Sequence, residues 1–416
     1  MSVIGVSEQG KLTIGQRTVG ELAREAGDRA KVQASQIRVP EFLLFAALIY
    51  GETVPGIGLP FNQLMVFVIV GYALGKKTVF SLGVWSQVFT VLFLALAYVG
   101  VVSVFADPSV YASEWSRRWI RLIAMTLLIY VIAVGRIHLR SAILGYSTAL
   151  LVNAGLFFAG IAPATYGQYL TGYLGDKNFA GLVHALFALL VMTVFTHRWQ
   201  QVTVFIVSCG LLWTTGSRTS LAALAFACLW ILLAPRLVPL AKIALLWVFW
   251  LLLNLVTEDY SQAEVFGDRT GTDELRSQID AMAWAKVQAT GFFGRGLGEA
   301  YVYDVARERT WFFHNSYWSA FVEGGWIWTV AVVGITLFVA VRPLTKNKAW
   351  SSYQIIGQGI GIALMVCALR LGEVFYTLPW AICMGFVIRA WIVDLGVNKH
   401  INMYGYDSMI DERRYR

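Results

Sequence analysis

Apolar stretches of the length needed to cross a lipid bilayer recur along almost the whole of this chain. A tilted helix needs roughly 17–25 such residues, and about twelve candidates satisfy that rule. They are residues 39–55, 59–75, 80–105, 119–134, 141–161, 179–196, 199–215, 218–235, 238–256, 315–341, 353–372 and 378–396. The breaks at Pro55–Pro60 and Trp213–Arg218 are tight, so either pair of segments can instead form a re-entrant hairpin. Only 14% of the 416 residues are charged, against about 25% in a soluble domain. The expected fold is an all-α polytopic membrane protein. Nine helices fall in 39–256 and three in 314–396, with an arm at 1–38, one long loop at 257–313 and a tail at 397–416. No internal repeat interrupts this pattern. The arm is polar and has no apolar core of the kind a secretory signal needs.

The net charge of +8 would suit nucleic acid if it were gathered on one surface, but it is spread by topology. Lys11, Arg17, Arg24, Arg29, Lys31 and Arg38 precede the first apolar stretch. Alternate connections then carry Lys76 and Lys77, Arg136 and Arg140, Arg198, Arg236 and Lys242, then Arg342, Lys346 and Lys348, and finally Lys399 and Arg413. An excess of Lys and Arg marks cytoplasmic loops, so both termini are expected inside and 257–313 outside. Nucleic acid is excluded as a partner; membrane lipids are not. Arg117, Arg118 and Arg121 are out of step with the alternation. The four cysteines lie inside apolar runs without metal-site or disulfide spacing and read as small core residues.

Three features on the outer side carry residues capable of chemistry. The turn Thr215-Gly216-Ser217-Arg218-Thr219-Ser220 places one arginine at the membrane surface. Such an arginine can snorkel to lipid phosphates or serve a site. The segment from Gly271 to Thr290 reads as a helix, with Thr272 as N-cap, Asp273 and Glu274 at its positive end and Gly291 as the left-handed C-terminal residue. Leu275, Ile279, Met282, Ala283 and Val287 recur at helical spacing, so one face packs, and Arg276 leaves from the other. Gly291-Phe-Phe-Gly-Arg-Gly-Leu-Gly298 follows, where glycine density permits sharp turns or close approach. It follows no strand, so a dinucleotide-binding reading fails. Third, His314-Asn315 opens an apolar helix, in a chain with five histidines. A histidine there can be structural, yet an imidazole can also take a proton near neutral pH. Arginines grip a diphosphate bidentately, and no outer Asp or Glu cluster suggests a metal, so fixed cations would have to hold leaving-group charge.

Four stretches together resemble the O-antigen ligase and polymerase superfamily of bacterial envelope glycosyltransferases: GDKNFAGLVHAL (175–186), TGSRTSLAALA (215–225), LRSQIDAMAWAKVQATGFFGRGLG (275–298) and FHNSYWSAFVEGG (313–325). They occur in the family's order over about the C-terminal three-fifths of the chain. The departure is Arg295, which stands between glycines where the family has a small apolar residue. The resemblance implies a GT-C-like fold and metal-independent transfer of a glycan from undecaprenyl diphosphate in the periplasm of a bacterial inner membrane. The acceptor would be a hydroxyl of lipid A–core in the ligase branch, or another lipid-linked repeat in the polymerase branch. It implies His314, Arg218 and Arg276 as catalytic, with Asn315, Lys177, Asn178, Arg295 and Arg370 as substrate contacts, and no cofactor. One long outer loop placed late in the chain favours the ligase branch. A lipid-linked-glycan transporter is the alternative from another class; Arg370 with Glu373 is the ionisable pair such a protein would place in a span.

Overall fold

The computed structural model describes residues 37–259, 270–305, 307–345, 350–394 and 403, with three short strand segments in the arm. The loop charges Lys346, Lys348, Lys399 and Arg413, most of the arm and nearly all of the tail lie outside the described residues. The protein is mostly helical. In chain order the helices are α1 (Val39–Ala46, prolonged by a 3-10 turn Ala47–Ile49), α2 (Phe61–Leu74), α3 (Ser86–Phe105), α4 (Trp115–Ala133) and α5 (Leu139–Phe158). There follow α6 (Lys177–Met192), α7 (Arg198–Thr214), α8 (Arg218–Leu233), α9 (Pro239–Asp259) and α10 (Thr270–Gln288). The last three are α11 (Ser316–Ile335, continuing as a π-helical turn Thr336–Val341), α12 (Ser352–Ala368) and α13 (Leu378–Asp394).

A helix thus overlaps each apolar stretch of the sequence, for a local reason. A helix satisfies every backbone amide inside its own segment, whatever surrounds it. Among the described residues, four helical segments are long and apolar enough to cross a membrane: Gly83–Phe105, Leu139–Phe158, Arg218–Arg236 and Ser316–Val341. Others are shorter than expected. Val39–Ile49 has 11 residues and Phe61–Leu74 has 14, roughly 17 and 21 Å at 1.5 Å per residue. Between them the chain turns back with a Thr53–Pro60 bridge.

The helices pack in pairs, α8 along α12, α4 along α13, α1 along α5 and α6 along α7. The core is apolar and aromatic. Trp230 and Trp380 are fully buried, Tyr146 stacks on Phe187 at 4.2 Å, and Phe226 stacks on Phe249 at 4.5 Å.

The fold is not purely helical. The arm has a small antiparallel sheet of β1 (Ile4–Val6), β2 (Leu12–Ile14) and β3 (Arg17–Thr18). After α10, β4 (Tyr301–Asp304) and β5 (Arg309–Phe312) form an antiparallel hairpin that pairs Tyr301 with Phe312 and Asp304 with Arg309. Aromatic and β-branched residues favour such a pleated, half-buried surface. The hairpin returns the chain to α10 just before His314.

Candidate functional site

Helix α10 is anchored by the face that the sequence marks as apolar. Ile279 and Ala283 are buried with Ala300, Val302, Phe313 and Val322, and Leu275, Met282 and Val287 pack around them. The helix begins at Thr270, two residues before the expected cap, so Thr272 lies within its first turn and Arg276 in its second. Its opposite face carries Arg276 and, one turn later, Asp280. Arg276 Nη2 donates to the Arg370 carbonyl oxygen at 2.6 Å. Asp280 Oδ1 lies 3.7 Å from His314 Nδ1, and Asp280 Oδ2 lies 3.9 Å from Arg370 Nη1. His314 and Arg370, from separate parts of the chain, therefore approach one carboxylate, and Arg276 joins the group through the Arg370 carbonyl.

The backbone beneath this cluster is tied down. Asn315 is the N-cap of α11: its Oδ1 accepts from the amides of Tyr317 at 3.0 Å and Trp318 at 3.2 Å. That is the capping role of an Asn at this position, and it makes Asn315 a support for His314. The Phe313 amide donates to the Ala300 carbonyl at 3.2 Å. The turn 369–377 after α12 is pinned to α11 because Ser316 Oγ donates to Leu371 O at 2.5 Å and accepts from Val374 N at 3.0 Å. Ser319 Oγ adds a bond to Gly372 O at 2.9 Å.

Arg218 and Lys177 stand in the adjoining layer. Arg218 is the first residue of α8, behind the buried Ser217 and Ser220, whose hydroxyls lie 2.9 Å apart. Ser220 Oγ is 4.0 Å from Cys367 Sγ, three residues before Arg370, so α8 begins where α12 ends. Lys177 opens α6; its ammonium lies 4.9 Å from the Tyr169 ring centroid and 5.5 Å from that of Tyr166. Asp176 caps this helix, accepting from Asn178 N at 2.9 Å and Phe179 N at 2.8 Å.

Arg295 is not part of this group. Its Nη2 donates to Ala289 O at 2.7 Å and its Nε to Thr290 Oγ1 at 3.2 Å, so its charge covers the C-terminal carbonyls of α10. Arg276 lies thirteen residues before Ala289, roughly 20 Å along the helix axis. The expected left-handed residue Gly291 is also corrected: positive φ occurs at Gly294, Gly296 and Gly298. The purpose of this loop is a backbone contact. α11 is broken at Gly324 and Gly325, where the dihedrals leave the helical region. The loop fills the break, with Arg295 N bonding Val322 O at 2.7 Å, Gly296 N bonding Glu323 O at 2.9 Å, and Trp326 N bonding Phe292 O at 3.0 Å.

Beside the break lies an ion-pair group. Arg118 meets Glu323 through Nε at 2.9 Å and Nη2 at 3.0 Å, and also contacts Glu373, which Arg121 approaches at 3.8 Å. Arg118 and Arg121 are two of the arginines out of step with the loop-charge alternation; their partners are these carboxylates. Arg118 and Arg121 hold the Glu373 carboxyl at about 2 against the pull of burial. A cavity of about 150 Å³ opens here, lined by Asn62, Gln63, Arg121, Phe179, Glu373 and Tyr376. The 369–377 turn therefore separates two regions, with Arg370 facing Asp280 and Glu373 facing the cavity. A second tether joins α10 to the hairpin: Lys286 Nζ meets Glu299 Oε2 at 2.9 Å and Tyr301 O at 3.1 Å. Burial draws the Lys286 ammonium below its ordinary value.

Sequence reasoning did not single out Asp280. The available signal was its spacing, four residues after Arg276 on the polar face of an amphipathic helix. Glu323 stood in a quoted motif, but nothing local connects it with Arg118, 205 residues away. A comparison with protein-family models gives no match, and neither does a comparison with curated proteins.

Proposed function

We propose that this protein is a glycosyltransferase of the O-antigen ligase type, which moves a glycan from undecaprenyl diphosphate to a hydroxyl of lipid A–core. The observation that carries the reading is the convergence of His314, Arg276 and Arg370 on one polar cluster, with Arg218 and Lys177 in the next layer. Cations in this density suit a diphosphate, and the histidine suits an attacking hydroxyl. On this reading all twelve apolar helices enter the inner membrane in a GT-C-like arrangement. Both termini are cytoplasmic, and 257–313 faces the periplasm.

The chemistry is a direct displacement. The acceptor oxygen forms a bond to the anomeric carbon as the bond from that carbon to the phosphate oxygen breaks, its electron pair leaving with undecaprenyl diphosphate. His314 takes the hydroxyl proton and later releases it to solvent. Arg218 and Arg276 hold the charge that develops on the diphosphate, which leaves without protonation or a metal. The hydroxyl is the poorer partner, and a base there is worth about 10²–10⁴-fold. Direct displacement inverts the anomeric configuration.

The decisive experiment begins with cells lacking the gene. They should leave lipid A–core uncapped while polymerised glycan accumulates on undecaprenyl diphosphate; loss of polymerisation would instead assign the polymerase branch. Purified protein should join the two extracted lipids in EDTA with inversion, and His314→Ala should not. Retention of configuration, or full turnover in His314→Ala, rules the mechanism out. A transporter would join nothing in detergent.

A further inference from the structure

We infer that Asp280 is a positioning residue for His314: its carboxylate takes the Nδ1 side of the imidazole and thereby turns Nε2 toward the acceptor hydroxyl. This rests on the proposal that His314 is the base. The backbone of His314 is fixed on both sides, by the Phe313–Ala300 hydrogen bond and by the Asn315 cap. The remaining freedom is rotation of the ring, which a hydrogen-bond partner on a ring nitrogen removes. Asp280 is the partner available. The burial of Ile279 next to it holds α10 in place, and the Asp280 side chain is only 25% exposed.

Asp280 Oδ1 and His314 Nδ1 are both buried and have no hydrogen-bond partner among the described residues, yet face each other at 3.7 Å. Two such atoms left apart carry a desolvation penalty that a small side-chain rotation relieves. Catalytic hydrogen bonds are commonly long before substrate binds. Once closed, the contact makes Nδ1 the donor and leaves the Nε2 lone pair for the proton of the attacking hydroxyl. The carboxylate then also stabilises the imidazolium that forms. Two cations stand beside Asp280 among the described residues: Arg370, from the turn after α12 and 3.9 Å from its carboxylate, and Arg276, one turn back on α10 and bonded to the Arg370 carbonyl. Both are cations and neither can accept from Nδ1, so the role falls to Asp280 alone among these groups.

Two measurements test this on the full-length protein in detergent. The first is the ring tautomer, read by ¹⁵N NMR of labelled histidine, with the His314 signal identified by its loss in His314→Ala. The neutral ring should be protonated on Nδ1 in the wild type and should become a mixture in Asp280→Asn. A wild-type ring protonated on Nε2 overturns the proposal, and this result needs no variant of Asp280 to fold. The second uses donor and acceptor lipids extracted from cells lacking the gene. Asp280→Asn should lower kcat roughly tenfold to a hundredfold, part of the full contribution of a base, with KM for the donor within about twofold. Asp280→Glu should recover part of kcat. Wild-type kcat and an unchanged tautomer in Asp280→Asn, beside an inactive His314→Ala, removes Asp280 and leaves the base standing. Full turnover in His314→Ala removes the base itself.

Discussion

Arg276 and Arg295 lie on and beyond the same helix, and their neighbours give them different work. Arg276 commits one donor to the Arg370 carbonyl and, as proposed, directs its fork at a diphosphate. A lysine can supply the charge but not two directions at once. Arg276→Lys should therefore lose about 10–100-fold in ligation rate, the equivalent of one charge-assisted hydrogen bond of about 1.5–3 kcal/mol; wild-type ligation would withdraw the bidentate role. Arg295→Ala should lower stability by about 1 kcal/mol, since its bonds cap α10, with turnover per folded molecule unchanged. Glu373 gives a pH signature. Its folded carboxyl lies near 2 against an ordinary 4.5, so its pairing with Arg118 stabilises fully above about 4.5 and is lost as pH falls toward 2. The carboxylate side chain is 45% exposed, so solvent screening keeps the effect small. The Tm gap between wild type and Glu373→Gln should be present at pH 7 and narrow below pH 4.5; a gap that grows in acid would contradict the pairing.

At the scale of elements, the break in α11 decides where the site forms. Gly325 has φ 62 and ψ −158, a region open essentially to glycine alone, and a Cβ there would fall on the Phe292 carbonyl. Gly294, also at positive φ, faces the same junction, where a Cβ would meet the Gly325 amide. Loop and helix thus touch backbone to backbone, and this contact fixes the C-terminal end of α10, whose other end holds Arg276. Gly325→Ala should lower Tm by several degrees in detergent and reduce ligation with it. Gly334→Ala, in the same helix with open space around it, should be neutral or slightly stabilising. Equal behaviour of the two variants would show that the break carries no structural load.

The proposed sidedness concerns the whole molecule. Ser277 is exposed on α10, and Ser352 is exposed at the start of α12. Ser352 is a better reporter than Ser351, whose hydroxyl accepts from Gln354 N as the helix cap. With Cys209 and Cys228 replaced by Ser, a cysteine at Ser277 should react with an impermeant maleimide in intact cells with a permeabilised outer membrane. A cysteine at Ser352 should stay unlabelled until the inner membrane is opened. The opposite pattern would invert the orientation and remove the site from the periplasm.

What the sequence determined by itself are the features carried by neighbours along the chain. Helices lie in the apolar stretches because helical hydrogen bonds close within four residues and hydropathy selects the solvent. The packed face of α10 was legible from the spacing of Leu275, Ile279, Met282, Ala283 and Val287, whereas the sequence left Asn315 open between capping the helix and orienting His314. Tertiary structure alone decided the rest. The shortness of α1 follows from the chain turning back at Thr53–Pro60. The partners of Arg118 lie 205 and 255 residues away, and the break at Gly324–Gly325 exists because a loop some thirty residues earlier fills it. Asp280 meets His314 only because the β4–β5 hairpin folds the chain back on α10. Contacts at such separations depend on how whole elements pack, and no spacing rule along the chain encodes them.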